Sequence, residues 1–288
     1  MSIMDLVEET RIEEPLRVVL YATNGVGKST WAADAEKPLF LNIEDGLVNI
    51  NAKAINLHSI TIKDQEGKPV MHKVEKMDDE GKVYEEMEPK TRDSTFDDLM
   101  GTLRDLYRYP HPFKTIVLDS IDWIEQKKIW PKVAKEAGVK DISDIGFQNG
   151  YKKALEHWET LMSALNALRK DKGLNIIMLA HNAKVKVNEA GIDPHDINGI
   201  KLHKLASALI REWADFVLFA KFDTTTIQVE NGFGNKTNKP IGGKERVLFT
   251  KPDPNWEAKS RFEIPEKLPL EYAAFDAAYR ESLKTQES

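Results

Sequence analysis

The chain contains no cysteine. That removes disulfide bridges, thiolate catalysis and cysteine-ligated zinc in one step. No apolar run approaches the roughly 18 residues needed to span a bilayer, so no membrane contact is expected. Met1 to Glu14 is acidic, with no basic segment ahead of an apolar one, which is not the pattern of a secretory leader. A cytoplasmic location is the expectation. Positive charge is not in excess either: 41 Lys and Arg stand against 47 Asp and Glu, a formal net charge of −6. A protein that resides permanently on nucleic acid is usually basic, so any such contact must come from a local patch or be switched on. What remains is 41% apolar and 31% charged residues over 288 positions, a globular composition with ample length for a core.

Short apolar runs rich in β-branched residues read as buried strands: Leu16 to Ala22, Pro38 to Ile43, Lys114 to Asp119 and Asn175 to Ala180. Between them lie helical patterns at about 28–35, from Ser94 or Thr95 onward with apolar residues at Phe96, Leu99, Leu103 and Leu106, and at about 148–170. After an irregular stretch, a helix and a strand ending near Phe222 are expected, then a glycine-rich hairpin and a terminal amphipathic helix. Alternating strands and helices predict an α/β fold, a mostly parallel sheet with helices on both faces and antiparallel strands at one edge. From 61 to 98 the chain carries seven basic against twelve acidic residues. It reads as an exposed hairpin inserted into one domain spanning 1–288, or as a plain solvated charged face.

Ala22-Thr23-Asn24-Gly25-Val26-Gly27-Lys28-Ser29, followed by Thr30, fits the phosphate-loop pattern G-x-x-x-x-G-K-[ST] with alanine at the first glycine. Each retained residue has a task. Gly27 lets backbone N–H groups approach phosphates, Lys28 reaches the β- and γ-phosphates, and Ser29 is a ligand for Mg²⁺. ATP and Mg²⁺ are therefore the expected cofactors. The metal needs an acidic partner, and Asp119 supplies it at the end of an apolar strand. The other reading of Asp119 is a surface residue capping the helix near Trp123, a role open to Asp122 as well.

The stretches around "FLNIEDGL", "VLDSIDWIE", "LNIIMLAHNAK", "LHKLASALIREWADFVLFAKF" and "RVLFTKPDPNWEAKSRFEIPEKLPL" together resemble phage-encoded RecA-like nucleotide-binding proteins, some of them linked to single-strand annealing and recombination. The resemblance covers roughly residues 15–270 and implies a RecA-like P-loop core. It implies that Glu44, at the exit of the second strand, is the catalytic base, with Asp45 as the neighbour that competes for the assignment. It implies a γ-phosphate sensor at His181 or Asn182. It also implies a basic pair, Lys259 and Arg261, acting on the nucleotide of a neighbouring subunit, with Arg211 as a competing candidate. A homo-oligomer, ring or filament, with nucleotide at the subunit interface follows from the same likeness.

In such proteins the loops after the fourth strand bind single-stranded DNA. Here Lys184, Lys186, Lys201 and Lys204 make that stretch locally basic, Gly191, Pro194 and Gly199 make it read as flexible, and it holds no Phe, Tyr or Trp. Incidental lysines on a mobile loop are the bland alternative. His181, His195 and His203 match no compact metal-ligand spacing. The expected function is a slow, DNA-stimulated, Mg²⁺-dependent ATPase acting on single-stranded DNA in phage recombination or replication. A phage or host single-strand-binding protein is a candidate partner, and the host cytoplasm the setting. The rivals are a helicase motor or loader of the same fold, a nucleotide-gated assembly module, and a small-molecule kinase.

Overall fold

A computed structural model describes residues 14–79, 81–188, 191, 193–231 and 235–286. Met1 to Glu13, Glu80 and Glu189, on which parts of the leader, turn and charge expectations rest, lie outside the described residues.

In chain order the elements are β1 (Arg17–Ala22), α1 (Lys28–Ala33), β2 (Pro38–Asn42), β3 (Lys53–Asn56), β4 (Ser59–Thr61), β5 (Met71–Met77), β6 (Val83–Pro89), β7 (Thr91–Asp93), α2 (Phe96–Arg108), β8 (Thr115–Asp119), α3 (Ile121–Ile124), a π-helical turn (Glu125–Ile129), α4 (Trp130–Glu136), α5 (Asn149–Lys172), β9 (Asn175–Val187), β10 (His195–Ile200), α6 (Lys204–Trp213), β11 (Phe216–Asn231), β12 (Asn235–Phe249), β13 (Lys259–Ser260), β14 (Lys267–Pro269) and α7 (Tyr272–Gln286). Among the described residues, ten strands share one sheet, with the path β14-β12-β11-β1-β9-β8-β2-β3. From β11 through β1, β9, β8 and β2 to β3 all pairings are parallel. The edge strands β12 and β14 are antiparallel.

Side chains alternate across a strand, and β1 shows the consequence. Val19 and Tyr21 face a core shared with α2, α5 and α6, while Val18, Leu20 and Ala22 face a second core shared with α1 and α7. Both faces of β1 are covered, which is why the strand reads as an unbroken apolar run. Trp31 of α1 packs its ring against Tyr272 and Phe275 of α7, so the C-terminal helix props the helix that follows the phosphate loop. Helix α2 starts at Thr95, whose side chain and that of Asp98 cap each other's backbone N–H in a capping box.

Two segments differ from the sequence expectation. The stretch after Ala180 is not irregular. β9 continues to Val187 and returns through the antiparallel β10. β11 likewise runs past Phe222 to Asn231 and pairs with β12 across a register shift between Phe222 and Thr224. In the charged segment, β5 pairs antiparallel with β6, and β4 with β7. No helix among the described residues is long and apolar enough to cross a membrane.

Candidate functional site

The site lies where β1, β8 and β2 end, beside His181 of β9. After Ala22, the loop Thr23–Gly27 turns back over the strand end. Gly25 has φ 75° and Gly27 φ 105°, left-handed values that glycine adopts without a Cβ penalty. Ala22 is fully buried in the strand, so the missing first glycine falls at ordinary extended backbone. Lys28, Ser29 and Thr30 then open α1. Lys28 is 9% exposed. Burial lowers its ammonium pKa, against the pull of Asp119, Glu44 and Asp122. An arriving phosphate restores what burial removes.

Asp119 ends β8, is 3% exposed, and accepts a 2.7 Å hydrogen bond from Ser29 Oγ. It is therefore no surface cap. Burial raises its pKa, helped by Glu44 and opposed by the Ser29 bond. Hydroxyl and carboxylate are hard oxygen donors of the kind Mg²⁺ takes, and Mg²⁺ is usually held by one or two carboxylates plus substrate phosphates. Among the described residues, no group of three or more His, Cys, Asp or Glu is placed to hold a metal. The donor set thus fits an ion completed by phosphates and water.

Glu44 leaves β2 with its backbone N–H, like that of Ile43, on the carbonyl of Asp119. Its carboxylate accepts 2.9 Å from Ser120 Oγ and lies 3.4 Å from His181 Nε2. The peptide joining Asp119 to Ser120 is cis. Asp45 turns outward, 65% exposed, 3.9 Å from His58. Of the two neighbouring acids, Glu44 faces Lys28 and Asp119.

His181 lies on β9 beside Ala22 of β1. Its Nδ1 is 2.9 Å from Asp122 and its backbone N–H donates to the other oxygen of that carboxylate at 3.1 Å. Asn182, one residue on, points to Asn198 instead. Asp122 is a site residue that sequence reasoning assigned to helix capping. It is fully buried, and although burial pushes its pKa up, the His181 contacts prevail and hold it below the usual carboxylate value. Its second neighbour is Lys201 Nζ at 3.7 Å.

Lys184 and Lys186 are exposed on one face of β9, opposite Asn198 and Asp196 of β10. Lys201 and Lys204 are exposed where β10 hands over to α6. Lys184 and Lys186 are thus mounted on a strand, Lys204 on a helix start, and Lys201 on the short connector between β10 and α6.

Lys259 lies against the end of α6. Its ammonium donates to the carbonyls of Arg211, Glu212 and Ala214 at 2.8–3.1 Å. All three of its donors are spent on the end of α6. Arg261 joins it there, on the Glu212 carbonyl and 3.3 Å from the Asp215 carboxylate. Arg211 pairs with Glu257 at 2.6 Å. Within this chain the two cations satisfy carbonyls that the last turn of α6 leaves unpaired.

The AAA domain family model matches residues 14–262. The chain belongs to this family and is a P-loop nucleotide-binding protein with the domain of an NTPase. No curated protein matches it.

Proposed function

We propose that this chain is a Mg²⁺-dependent ATPase of RecA-like type that acts on single-stranded DNA in phage recombination or replication, by annealing or strand pairing, as an assembly of identical subunits. The observation that carries the reading is the placement of His181. It stands between Glu44, on the nucleotide side, and Asp122, whose carboxylate is also the neighbour of Lys201. One buried acid thereby joins the phosphate end of the site to the lysine patch.

Lys28 and the Gly25–Gly27 backbone hold the phosphates. Ser29 and Asp119 would hold the metal, which would supply neutralising charge to the phosphates. Glu44 takes the proton of a water in line with the γ-phosphorus. The new P–O bond forms as the bond to the β-phosphate oxygen breaks, and ADP carries away that electron pair. Ser120 fixes the Glu44 carboxylate, and His181 reports whether the γ-phosphate is present. Lys184, Lys186, Lys201 and Lys204 neutralise DNA phosphates, a local patch in an acidic chain.

ATP turnover measured with and without a single-stranded oligonucleotide tests this. The expected result is slow basal turnover that rises with DNA. Turnover unaffected by DNA, with no oligonucleotide bound at low salt, overturns the DNA part and favours a nucleotide-gated assembly. Duplex unwinding driven by ATP favours a helicase motor.

A further inference from the structure

The residues around the metal and the water do not exhaust the phosphate loop. Glu44, Asp119 and His181 come from β2, β8 and β9, all on one side of β1 in the sheet. On the other side, across β11, β12 carries Arg246 to the loop. Its Nη1 contacts the carbonyl of Val26 at 3.5 Å. A Cβ on Gly27 would lie 2.8 Å from that same Nη1. The glycine suits its φ of 105°, and the guanidinium lies close against it. Among the described residues no carboxylate pairs with Arg246, and the one hydrogen bond of its guanidinium is that long contact to a neutral carbonyl. A guanidinium offers five donors and favours oxyanions. Among the described residues most of them meet no protein acceptor, and the exposed guanidinium lies beside the phosphate loop.

Arg246 also lines a cleft of about 660 Å³ between the stretch 244–247 and the stretch 267–271. Its backbone carbonyl accepts from Leu270 N–H at 3.0 Å, tying the two walls together. Leu268 is half-buried and Leu270 buried, giving an apolar floor, while Lys244, Glu245 and Glu271 make a polar rim. That volume is large enough for a nucleoside, and the lining is polar for the most part.

A triphosphate whose γ end lies at Glu44 must run across the loop toward β11 and β12. The geometry points to Arg246 as a nucleotide-positioning residue that pairs with the phosphate next to the ribose, and to the cleft beside it as the nucleoside subsite. The inference rests on the nucleotide reading of the loop and adds to it the polarity of the bound molecule. On binding, the guanidinium exchanges the Val26 carbonyl for phosphate oxygens.

Two measurements test it. Photolabelling with 8-azido-ATP, followed by peptide mapping, should place the tag within 244–247 or 267–271. A tag confined to other segments overturns the subsite. Calorimetric titration of Arg246→Ala should then show ATP and ADP weakened by the same factor, about ten- to a hundredfold for a lost charge-assisted contact. Arg246→Lys should recover part of the loss, and thermal melting reports whether each variant is folded. A variant that loses ATP affinity but keeps ADP affinity moves Arg246 to the γ-phosphate and overturns the inference, as does one that loses neither. If the wild-type chain binds neither nucleotide, the reading of the loop itself falls, a result distinct from all of these.

Discussion

The imidazole Nε2 of His181 lies 3.4 Å from a carboxylate oxygen of Glu44. A neutral imidazole has a single N–H to donate, and Asp122 faces the opposite ring nitrogen at 2.9 Å. Which acid receives the hydrogen bond therefore depends on the state of both. Glu44 is the one within reach of an incoming substrate, with Ser120 steadying it from behind.

Glu44→Gln keeps the acceptor for Ser120 but cannot take a proton. ATP affinity should stay within a few-fold of wild type, while turnover falls by about 10²–10⁴. Asp45→Asn, on an outward carboxylate, should leave turnover unchanged. Single-turnover hydrolysis paired with calorimetric binding checks both. The reverse pattern would transfer the base to Asp45.

Lys201 and Lys204 should contribute to DNA affinity through phosphates alone. Replacing both by alanine should flatten the log–log salt dependence of oligonucleotide binding by about 0.7 per lost contact, one to two in all, with ATP affinity intact. Fluorescence anisotropy across a salt series reads the slope. An unchanged slope removes these two lysines from the interface.

Lys259→Ala should behave as a structural variant. Three carbonyls at the end of α6 lose their donor, which costs about 1–3 kcal/mol. Chemical denaturation should show that loss, and turnover per folded molecule should stay within twofold. A collapse of turnover at full stability would favour the trans-acting role.

Glu125 gives a pH signature. It is buried in the π-helical turn, accepts from His203 N–H and Trp158 Nε1, and burial pushes its pKa up to about 7. The folded chain therefore holds this proton where the unfolded chain has released it. Stability falls as pH rises from about 4.5 to about 7 and then levels off. Glu125→Gln should flatten that fall, a difference of up to about 3 kcal/mol at full ionisation. Melting curves of the two proteins from pH 5 to 8 should diverge in that direction. Parallel curves would mean Glu125 is ionised throughout.

The centre of this site was legible in the sequence because its signals are local. A strand, a glycine turn and Lys28-Ser29 occupy one continuous stretch, and Asp119 ends another apolar run. Glu44 was reached by likeness to RecA-type proteins. Arg246 was not legible, since it lies 220 residues along the chain from Val26 and meets the loop only because β12 pairs with β11 and β11 with β1. Asp122 was misread because an acid at the start of a helix is more often a cap than a buried partner for histidine. The extension of β9 did leave a signal: Ala183, Val185 and Val187 alternate with Lys184 and Lys186, the period of a strand. The lysines and the turn residues beyond them drew the reading toward a loop.

β9 is one uninterrupted strand from the sheet centre to the lysine patch. Extended chain advances about 3.3 Å per residue, so Lys184 and Lys186 stand roughly 10 and 17 Å along the same rod from His181. β10 stiffens that rod by pairing with it from Asn182 to Val187. A tilt of the rod at its histidine end is a displacement of the lysines at the other, without any hinge between. With ATP and DNA bound as proposed, the spacing between their phosphates would be a ruler set by strand pitch, and inserting two residues after Asn182 would lengthen it by about 7 Å.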